Sequence, residues 1–299
     1  MRKTDADIGL FLLLTLLFSA VFWSLIIAAG HLAVAGGKYV EALMWCPGLA
    51  AFATVALRRL DWNSLGLSRW GRPRYALLAY LLPLAYALIA YLIVWGLGLG
   101  TFPDPTTLKA IAAKFSWTLD NPALLTLTYF VFIGFVGMVP SLASALGEEI
   151  GWRGFLVPRM AERFGFVGAA LLTGVIWAAW HTPILLGADY NNGTPPPYAL
   201  ACFVVLVISS ATMLTWLRLR LNSVWPCAIM HASHNLFIQA FFTPLTGANG
   251  DVTKYAIDEF GWAVPAVAVL FAVGAWLAWR RSGGAAANLR DTPVPSTAT

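Results

Sequence analysis

Apolar residues run along this chain in long, nearly uninterrupted stretches, and polar residues collect in the short segments between them. Each stretch has about 20 residues, the length that a helix needs to cross a bilayer. The pattern predicts eight membrane-spanning helices, over residues 9–29, 39–57, 75–99, 122–146, 165–186, 198–217, 223–242 and 262–279. The short, alternating strands of a membrane β-barrel would give a different pattern. The chain is therefore expected to be an all-α polytopic membrane protein.

Composition supports a membrane protein independently of the pattern. Hydrophobic residues make up 59% of the 299 positions and charged residues only 11%, whereas soluble domains carry about 25% charged residues. We therefore expect an integral membrane protein, with the cell (plasma) membrane as its location. No long polar linker divides the chain, so residues 1–281 are expected to form a single membrane domain. Residues 282–299, rich in Ala, Thr and Pro, are expected to form a disordered cytoplasmic tail.

Lysine and arginine are distributed unevenly between the two sides that eight spans would create. With the N-terminus inside, 15 of the 19 basic residues, including Arg153 and Arg218, fall in cytoplasmic segments or at the two cytoplasmic ends. This bias is the positive-inside pattern, and it predicts that both termini are cytoplasmic. The same residues account for the net charge of +5, since they flank spans and face anionic lipid. A nucleic-acid partner is therefore not expected.

Two adjacent acids, Glu148 and Glu149, follow directly after the fourth apolar stretch. A carboxylate in the hydrocarbon layer costs on the order of 3 kcal/mol, so such an acid suggests a functional site. Glu149 and Arg153 are four residues apart and are expected to pair, which leaves Glu148 free for chemistry. Gly147 and Gly151 bracket the acids and would let another helix approach them closely. The simpler alternative is a solvated acid pair at the cytoplasmic end of a span.

Histidines lie in two of the later apolar stretches. His181 ends the segment that begins at Trp177, and one helical turn places both side chains on one face. His231 and Asn235 are likewise one turn apart, and His234 is a competing candidate for the same face. The simpler alternatives are a histidine that bonds a nearby carbonyl and polar residues that bond between helices.

Together these residues resemble three motifs of the CPBP family of intramembrane proteases, which includes the Ras-converting type of CAAX prenyl endopeptidase and the Abi proteins. The Glu-Glu-x-x-x-Arg motif is present from Glu148 to Arg153, and the Phe-x-x-x-His motif is present with Trp177 in place of phenylalanine and with His181. The His-x-x-x-Asn motif is met by His231 and Asn235. The resemblance covers residues 122–242, which are expected to form the family core.

The resemblance implies hydrolysis of peptide bonds in membrane-anchored protein or peptide substrates. It makes Glu148 the general base that activates water, with assistance from His181. It makes His231 and Asn235 the residues that stabilise the oxyanion of the tetrahedral intermediate. Glu149, Arg153 and Trp177 would support these four. No cofactor is expected as the first choice.

Two alternatives stay open at this stage. Glu148, His181 and His231 also form the ligand set of a catalytic zinc site, so a zinc-dependent protease is possible with the same residues. A transporter or bacteriocin-immunity protein could use the polar groups for proton handling. The rise of about 1.5 Å per residue also places Glu148 near the cytoplasmic end of its span and His181 toward the outside. The two residues can meet only if a helix bends, for instance at Pro140, or is longer than its apolar stretch.

Overall fold

Helices form nearly all of the regular structure in the computed structural model, which describes residues 3–283. In this part of the chain the α-helices are α1 Lys3–Ala29, α2 Lys38–Arg58, α3 Pro73–Gly96, α4 Pro105–Phe115, α5 Pro122–Phe132, α6 Met138–Glu149, α7 Val157–Gly187, α8 Pro196–Leu221, α9 Trp225–His234, α10 Val252–Ala256 and α11 Ala263–Arg281. Wider π-helical segments occupy Ile133–Gly137, Ile150–Leu156 and Asn235–Phe242, and short 3₁₀ segments occupy Val34–Gly37 and Trp62–Leu65. Strands β1 Gly100–Thr101 and β2 Gly247–Ala248 pair antiparallel.

Within residues 3–283, six helical segments are long and apolar enough to cross a membrane: Thr4–Ala29, Val34–Arg58, Pro73–Gly96, Pro122–Gly187, Pro196–Leu221 and Ala263–Arg281. This confirms the prediction of an all-α polytopic membrane protein. The predicted span at residues 223–242 is helical from Trp225 onward but is not among the six, since it carries His231, His234 and Asn235. The count of eight spans and the cytoplasmic termini stay predictions, as does the disordered tail, whose residues 284–299 lie outside the described part.

The outer surfaces of the long helices are apolar. Leucine, valine and phenylalanine side chains on them are half to three-quarters exposed, among them Leu17 on α1, Phe135 beside α5, Val139 on α6 and Leu270 on α11. An exposed apolar surface of this extent marks a protein that is solvated by lipid rather than by water.

The helix that carries the two acids extends far beyond its apolar stretch. The run from Pro122 continues through the acids, and its helical conformation is first broken at Gly165 (φ 68°, ψ −173°), which glycine accommodates without strain. The helix therefore does not end near Leu146, where its apolar stretch ends. The charges that suggested an end are buried against partners, so the helix does not have to stop for them. Glu148 lies well inside the run, which removes the difficulty of bringing it to His181.

Close packing of α2 against α6 depends on glycines, as the spacing of Gly147 and Gly151 predicted. A Cβ atom at Gly147 would lie 2.8 Å from the Cα of Trp45, and one at Gly151 would lie 2.5 Å from the Cβ of Pro47. Gly48 of α2 approaches the carbonyl oxygen of Gly147 equally closely. Helix α9 packs against both α3 and α6. The acids are therefore enclosed between α2 and α9.

Candidate active site

The four residues predicted to carry chemistry meet at one cavity of about 150 Å³. Glu148 reaches it from the end of α6 and His181 from α7, while His231 and Asn235 reach it from α9 and the π-helical segment that follows. Most of the remaining wall is apolar and comes from α2 and α8: Leu43, Met44, Phe203, Leu206, Val207 and Leu214. Side chains from three separate stretches of sequence thus share one small space.

Glu148 is held by two indoles rather than by a cation. It is only 1% exposed, and its Oε2 accepts hydrogen bonds from Trp177 Nε1 at 2.6 Å and from Trp152 Nε1 at 3.2 Å. Both bonds go to the same oxygen, so Oε1 takes part in neither. These neutral donors stabilise one oxygen of the carboxylate and leave the other available. A bidentate arginine would instead engage both oxygens.

Glu149 forms the ion pair that the spacing predicted, and it also binds a histidine. Its Oε1 accepts from Arg153 Nη1 at 2.8 Å and from His231 Nδ1 at 2.9 Å. Glu149 and Arg153 are completely buried. Because a carboxylate only accepts hydrogen bonds, Nδ1 of His231 must carry the proton, and Nε2 is the nitrogen left for the cavity. The neighbouring acids therefore have different partners and can have different roles.

Arg153 and Arg218 are buried in the protein, and the cytoplasmic side assigned to them by the basic-residue count stays a prediction. The Arg153 guanidinium lies 4.1 Å from the centre of the Trp177 ring. The Arg153 carbonyl accepts from Arg218 Nε at 2.9 Å, and Arg218 also donates to the carbonyl of Ser64 at 2.8 Å and to Asn222 Oδ1 at 2.7 Å. Pro158, one π-helical turn after Arg153, has no N–H group to donate to the Arg153 carbonyl. That carbonyl is therefore free to accept from Arg218.

His181 is oriented by the backbone of its own helix. Its Nδ1 lies 2.9 Å from the carbonyl oxygen of Trp177, which can only accept, so Nδ1 carries the proton and Nε2 can accept one. The ring lies edge-on to Trp180, with centroids 4.7 Å apart. No hydrogen bond joins His181 directly to Glu148 in the described chain. Trp177 connects them, since its indole donates to the acid and its carbonyl accepts from the histidine.

The cavity also includes polar residues that the sequence reasoning did not identify. Glu259 accepts from His234 Nε2 at 2.7 Å and from the Tyr190 hydroxyl at 2.8 Å, and all three line the cavity. His234 had been the competitor of His231, and the structure places both on the cavity wall. A usable signal was present in the chain, since Asp258-Glu259 is a second pair of adjacent acids next to an apolar stretch.

The two acids of this second pair differ in electrostatics. Burial acts to raise the pKa of Glu259, but the hydrogen bond and charge of His234 outweigh it and lower that pKa. Burial and then the Glu259 charge raise the pKa of Asp258 above that of an ordinary aspartate. Burial also raises the pKa of the Tyr190 hydroxyl well above its usual range, and the Glu259 carboxylate adds to the effect. Tyr190 is therefore a neutral hydrogen-bond donor at any physiological pH.

The zinc alternative requires Glu148, His181 and His231 to converge on one ion. Within residues 3–283 no group of three His, Cys, Asp or Glu side chains has the arrangement of a metal site. Nδ1 of His231 is directed to Glu149 and Nδ1 of His181 to a carbonyl, and Oε2 of Glu148 is occupied by indoles. These bonds engage only one nitrogen of each histidine and one oxygen of Glu148, and hydrogen bonds of this kind also orient the ligands of metal sites, so the zinc alternative stays a prediction.

Part of the chain matches the model of a known protein family. Residues 121–237 match the model of the family described as type II CAAX prenyl endopeptidase Rce1-like. All seven motif residues lie inside this range, which closely parallels the core expected at 122–242. The match confirms the resemblance that the three motifs predicted.

A curated relative is also similar to part of the chain. This relative is the CAAX prenyl protease 2 of Methanococcus maripaludis, with 26% identity over 99 residues. The alignment covers 32% of this chain and 36% of the relative, so the chain spans about a third of the relative's length in this match.

Proposed function

From the match of residues 121–237 to the Rce1-like CAAX endopeptidase family we propose that the protein is an intramembrane endopeptidase. Its substrate would be a membrane-anchored protein or peptide, with a prenylated CAAX-type C-terminus as the leading candidate. The observation that carries the proposal is the convergence of a buried carboxylate, two histidines and an amide on one cavity.

In the proposed reaction Glu148 is the general base. Its carboxylate takes a proton from a water molecule, and the water oxygen bonds to the carbonyl carbon of the scissile peptide. The proton then passes to the leaving amine as the C–N bond breaks. His181 assists through Nε2, and Trp177 fixes the positions of both groups relative to each other. An oriented base and a bound substrate supply much of the rate enhancement in such reactions.

His231 and Asn235 are proposed to stabilise the negative charge that develops on the carbonyl oxygen of the substrate. The Asn235 amide can donate directly. The His231 ring can donate from Nε2 when it is protonated, and Glu149 on Nδ1 stabilises that form much as the aspartate does in a Ser-His-Asp triad. Each such donor contributes about 3 kcal/mol in comparable sites. Glu149 and Arg153 are thus given the role of preparing His231, while Glu148 acts on water.

We propose that the reaction needs no metal. The support is that no three His, Cys, Asp or Glu side chains within residues 3–283 have the arrangement of a metal site. The test is to dialyse the purified protein against a zinc chelator and then measure both cleavage and bound zinc. Unchanged cleavage without zinc supports the proposal, and restoration of lost cleavage by stoichiometric zinc would refute it.

The decisive test of function uses the protein in liposomes with a farnesylated CAAX peptide, an unprenylated copy of the same peptide and an unrelated membrane-anchored peptide. Mass spectrometry identifies the cleaved bond. We expect cleavage by the wild type and none by Glu148→Gln. Glu162→Gln, which changes an exposed acid on the same helical run, is the matched control. If none of the peptides is cleaved by the wild type, the transporter or immunity alternative becomes the better explanation.

Fractionation of the native membranes tests the plasma-membrane location.

A further inference from the structure

Glu259 is a buried acid on the cavity wall that lies outside the residues matched to the family. It sits in the segment between α10 and α11, and its exposed fraction is 4%. His234 donates to Oε1 at 2.7 Å and Tyr190 donates to Oε2 at 2.8 Å. Three stretches of chain, around residues 190, 234 and 259, are therefore joined at one carboxylate.

The hydrogen-bonding capacity of this cluster is used within the cluster itself. Both oxygens of Glu259 have partners, and both ring nitrogens of His234 have partners, since Nδ1 meets the hydroxyl of Tyr86. Neither nitrogen of the His234 ring is therefore left to exchange a proton with a substrate unless one of these bonds breaks. Fully satisfied buried networks instead hold their members in one arrangement.

One member of the cluster lies against a proposed catalytic residue. The Tyr190 ring is nearly parallel to the His181 ring, with centroids 6.0 Å apart and an interplanar angle of 26°. Phe203 and Phe260 lie edge-on to Tyr190 at 5.7 and 4.8 Å. Tyr190 comes from the short loop between α7 and α8, which has no helical hydrogen bonds to fix it. Its bond to Glu259 and its contacts with Phe203 and Phe260 restrain it, and the bond to Glu259 is the directional one.

We propose that Glu259 is a positioning residue, which acts through Tyr190 to hold His181 in its productive orientation. The His181 ring can rotate about its side-chain bonds unless it is restrained on both sides. The Trp177 carbonyl restrains it at Nδ1, Trp180 and Phe203 meet it edge-on, and the Tyr190 ring lies along its face. The inference rests on the proposed function, because His181 has a productive orientation only if it takes part in the reaction.

A merely structural role for Glu259 would give a different result from a positioning role. Loss of a structural contact lowers the melting temperature and reduces the amount of folded protein but leaves the turnover of the folded fraction unchanged. Loss of positioning lowers kcat per folded molecule and leaves KM nearly unchanged, since the substrate still binds. Small misplacements of a reacting group reduce rates by up to about 100-fold.

The test compares Glu259→Gln, Tyr190→Phe and the double variant with Glu162→Gln as the control. Glutamine has a single side-chain oxygen and can keep only one of the two bonds, while phenylalanine keeps the ring and loses the hydroxyl. We expect each single variant to lower kcat about tenfold with KM within about twofold of the wild type. The double variant should be no slower than the slower single one, because both changes break the same link.

A second measurement does not depend on activity. Protein labelled with ¹⁵N at its four histidines gives ring signals by NMR, and His181→Gln identifies the signal of His181. We expect that signal to shift in Glu259→Gln and in Tyr190→Phe but not in Glu162→Gln. An unmoved His181 signal, or wild-type kcat in either single variant, would overturn the inference. Absence of cleavage by the wild type would refute the proposed function alone, since the NMR result would still report on the link.

Discussion

The indole Nε1 of Trp177 donates a hydrogen bond to Glu148 Oε2 at 2.6 Å. The family motif has phenylalanine at this position, and a phenylalanine ring has no such donor. The substitution that looked like a conservative aromatic exchange therefore adds a contact to the proposed general base.

Trp177→Phe should lower kcat by about 10- to 100-fold, because hydrogen bonds to charged groups contribute about 1.5–3 kcal/mol. Trp152 still donates to the same oxygen, so activity should not vanish. Cleavage rates at saturating substrate measure the effect. Trp62→Phe, at an exposed tryptophan, is the matched control. Wild-type turnover in Trp177→Phe would show that the indole does not help to orient the base.

The proposed catalytic residues should differ in how much activity survives their loss. Glu148→Gln, His181→Ala and His231→Ala should each abolish measurable cleavage, since residues that act as a unit are not additive. Asn235→Ala should retain activity reduced by about 10²- to 10³-fold, as expected for one oxyanion donor. His31→Ala, at an exposed histidine outside the cavity, should behave as the wild type. A fully active His231→Ala would contradict the assignment of the oxyanion site.

Arg153→Ala should act mainly through stability. Removal of one partner from a buried ion pair costs about 3–5 kcal/mol, because the other charge is left without compensation. Thermal unfolding in detergent should show a large drop for this variant and little change for Arg280→Ala, at an exposed arginine. Addition of Glu149→Gln to Arg153→Ala should recover part of the loss. A double variant less stable than Arg153→Ala would argue against an uncompensated charge as the cause.

Gly151→Ala should be strongly destabilising, since the new Cβ would lie 2.5 Å from Pro47 Cβ and 2.6 Å from its backbone carbonyl carbon. Backbone at that distance cannot give way without moving α2 from the acids. Gly274→Ala in α11 is the control, because no atom lies within 4 Å of its added Cβ and alanine favours a helix. Melting temperatures of the two variants should therefore move in opposite directions or differ by many degrees. Equal stabilities would show that the α2–α6 contact is loose.

Local spacing predicted much of this site. The pairing of Glu149 with Arg153 and the shared face of His231 and Asn235 follow from one helical turn, which is fixed by backbone geometry. The continuation of the helix beyond Leu146 was not foreseen because charge was taken as a sign of water, whereas Glu149 and Arg153 neutralise each other within the helix.

Contacts between distant parts of the chain could not be predicted. The bond between His231 and Glu149 spans 82 positions, and that between Tyr190 and Glu259 spans 69. The sequence around either residue of such a pair does not indicate which distant residue it will contact. Their meeting depends on how α9 packs against α6 and on where the loop after α7 lies, which the hydrophobic pattern leaves undetermined.

Arg218 joins the carbonyls of Arg153 and Ser64, and it thereby fastens the connection between α2 and α3 to the turn that follows the acids. These two parts of the chain therefore form one mechanical unit despite the 89 positions between them. A force or a bound partner that displaced the connection around Ser64 would act on the acid-bearing turn through this guanidinium and through the direct packing of Trp62–Leu65 against Ile150–Leu156. A displacement of the connection around Ser64 would in this way be transmitted to the buried carboxylates.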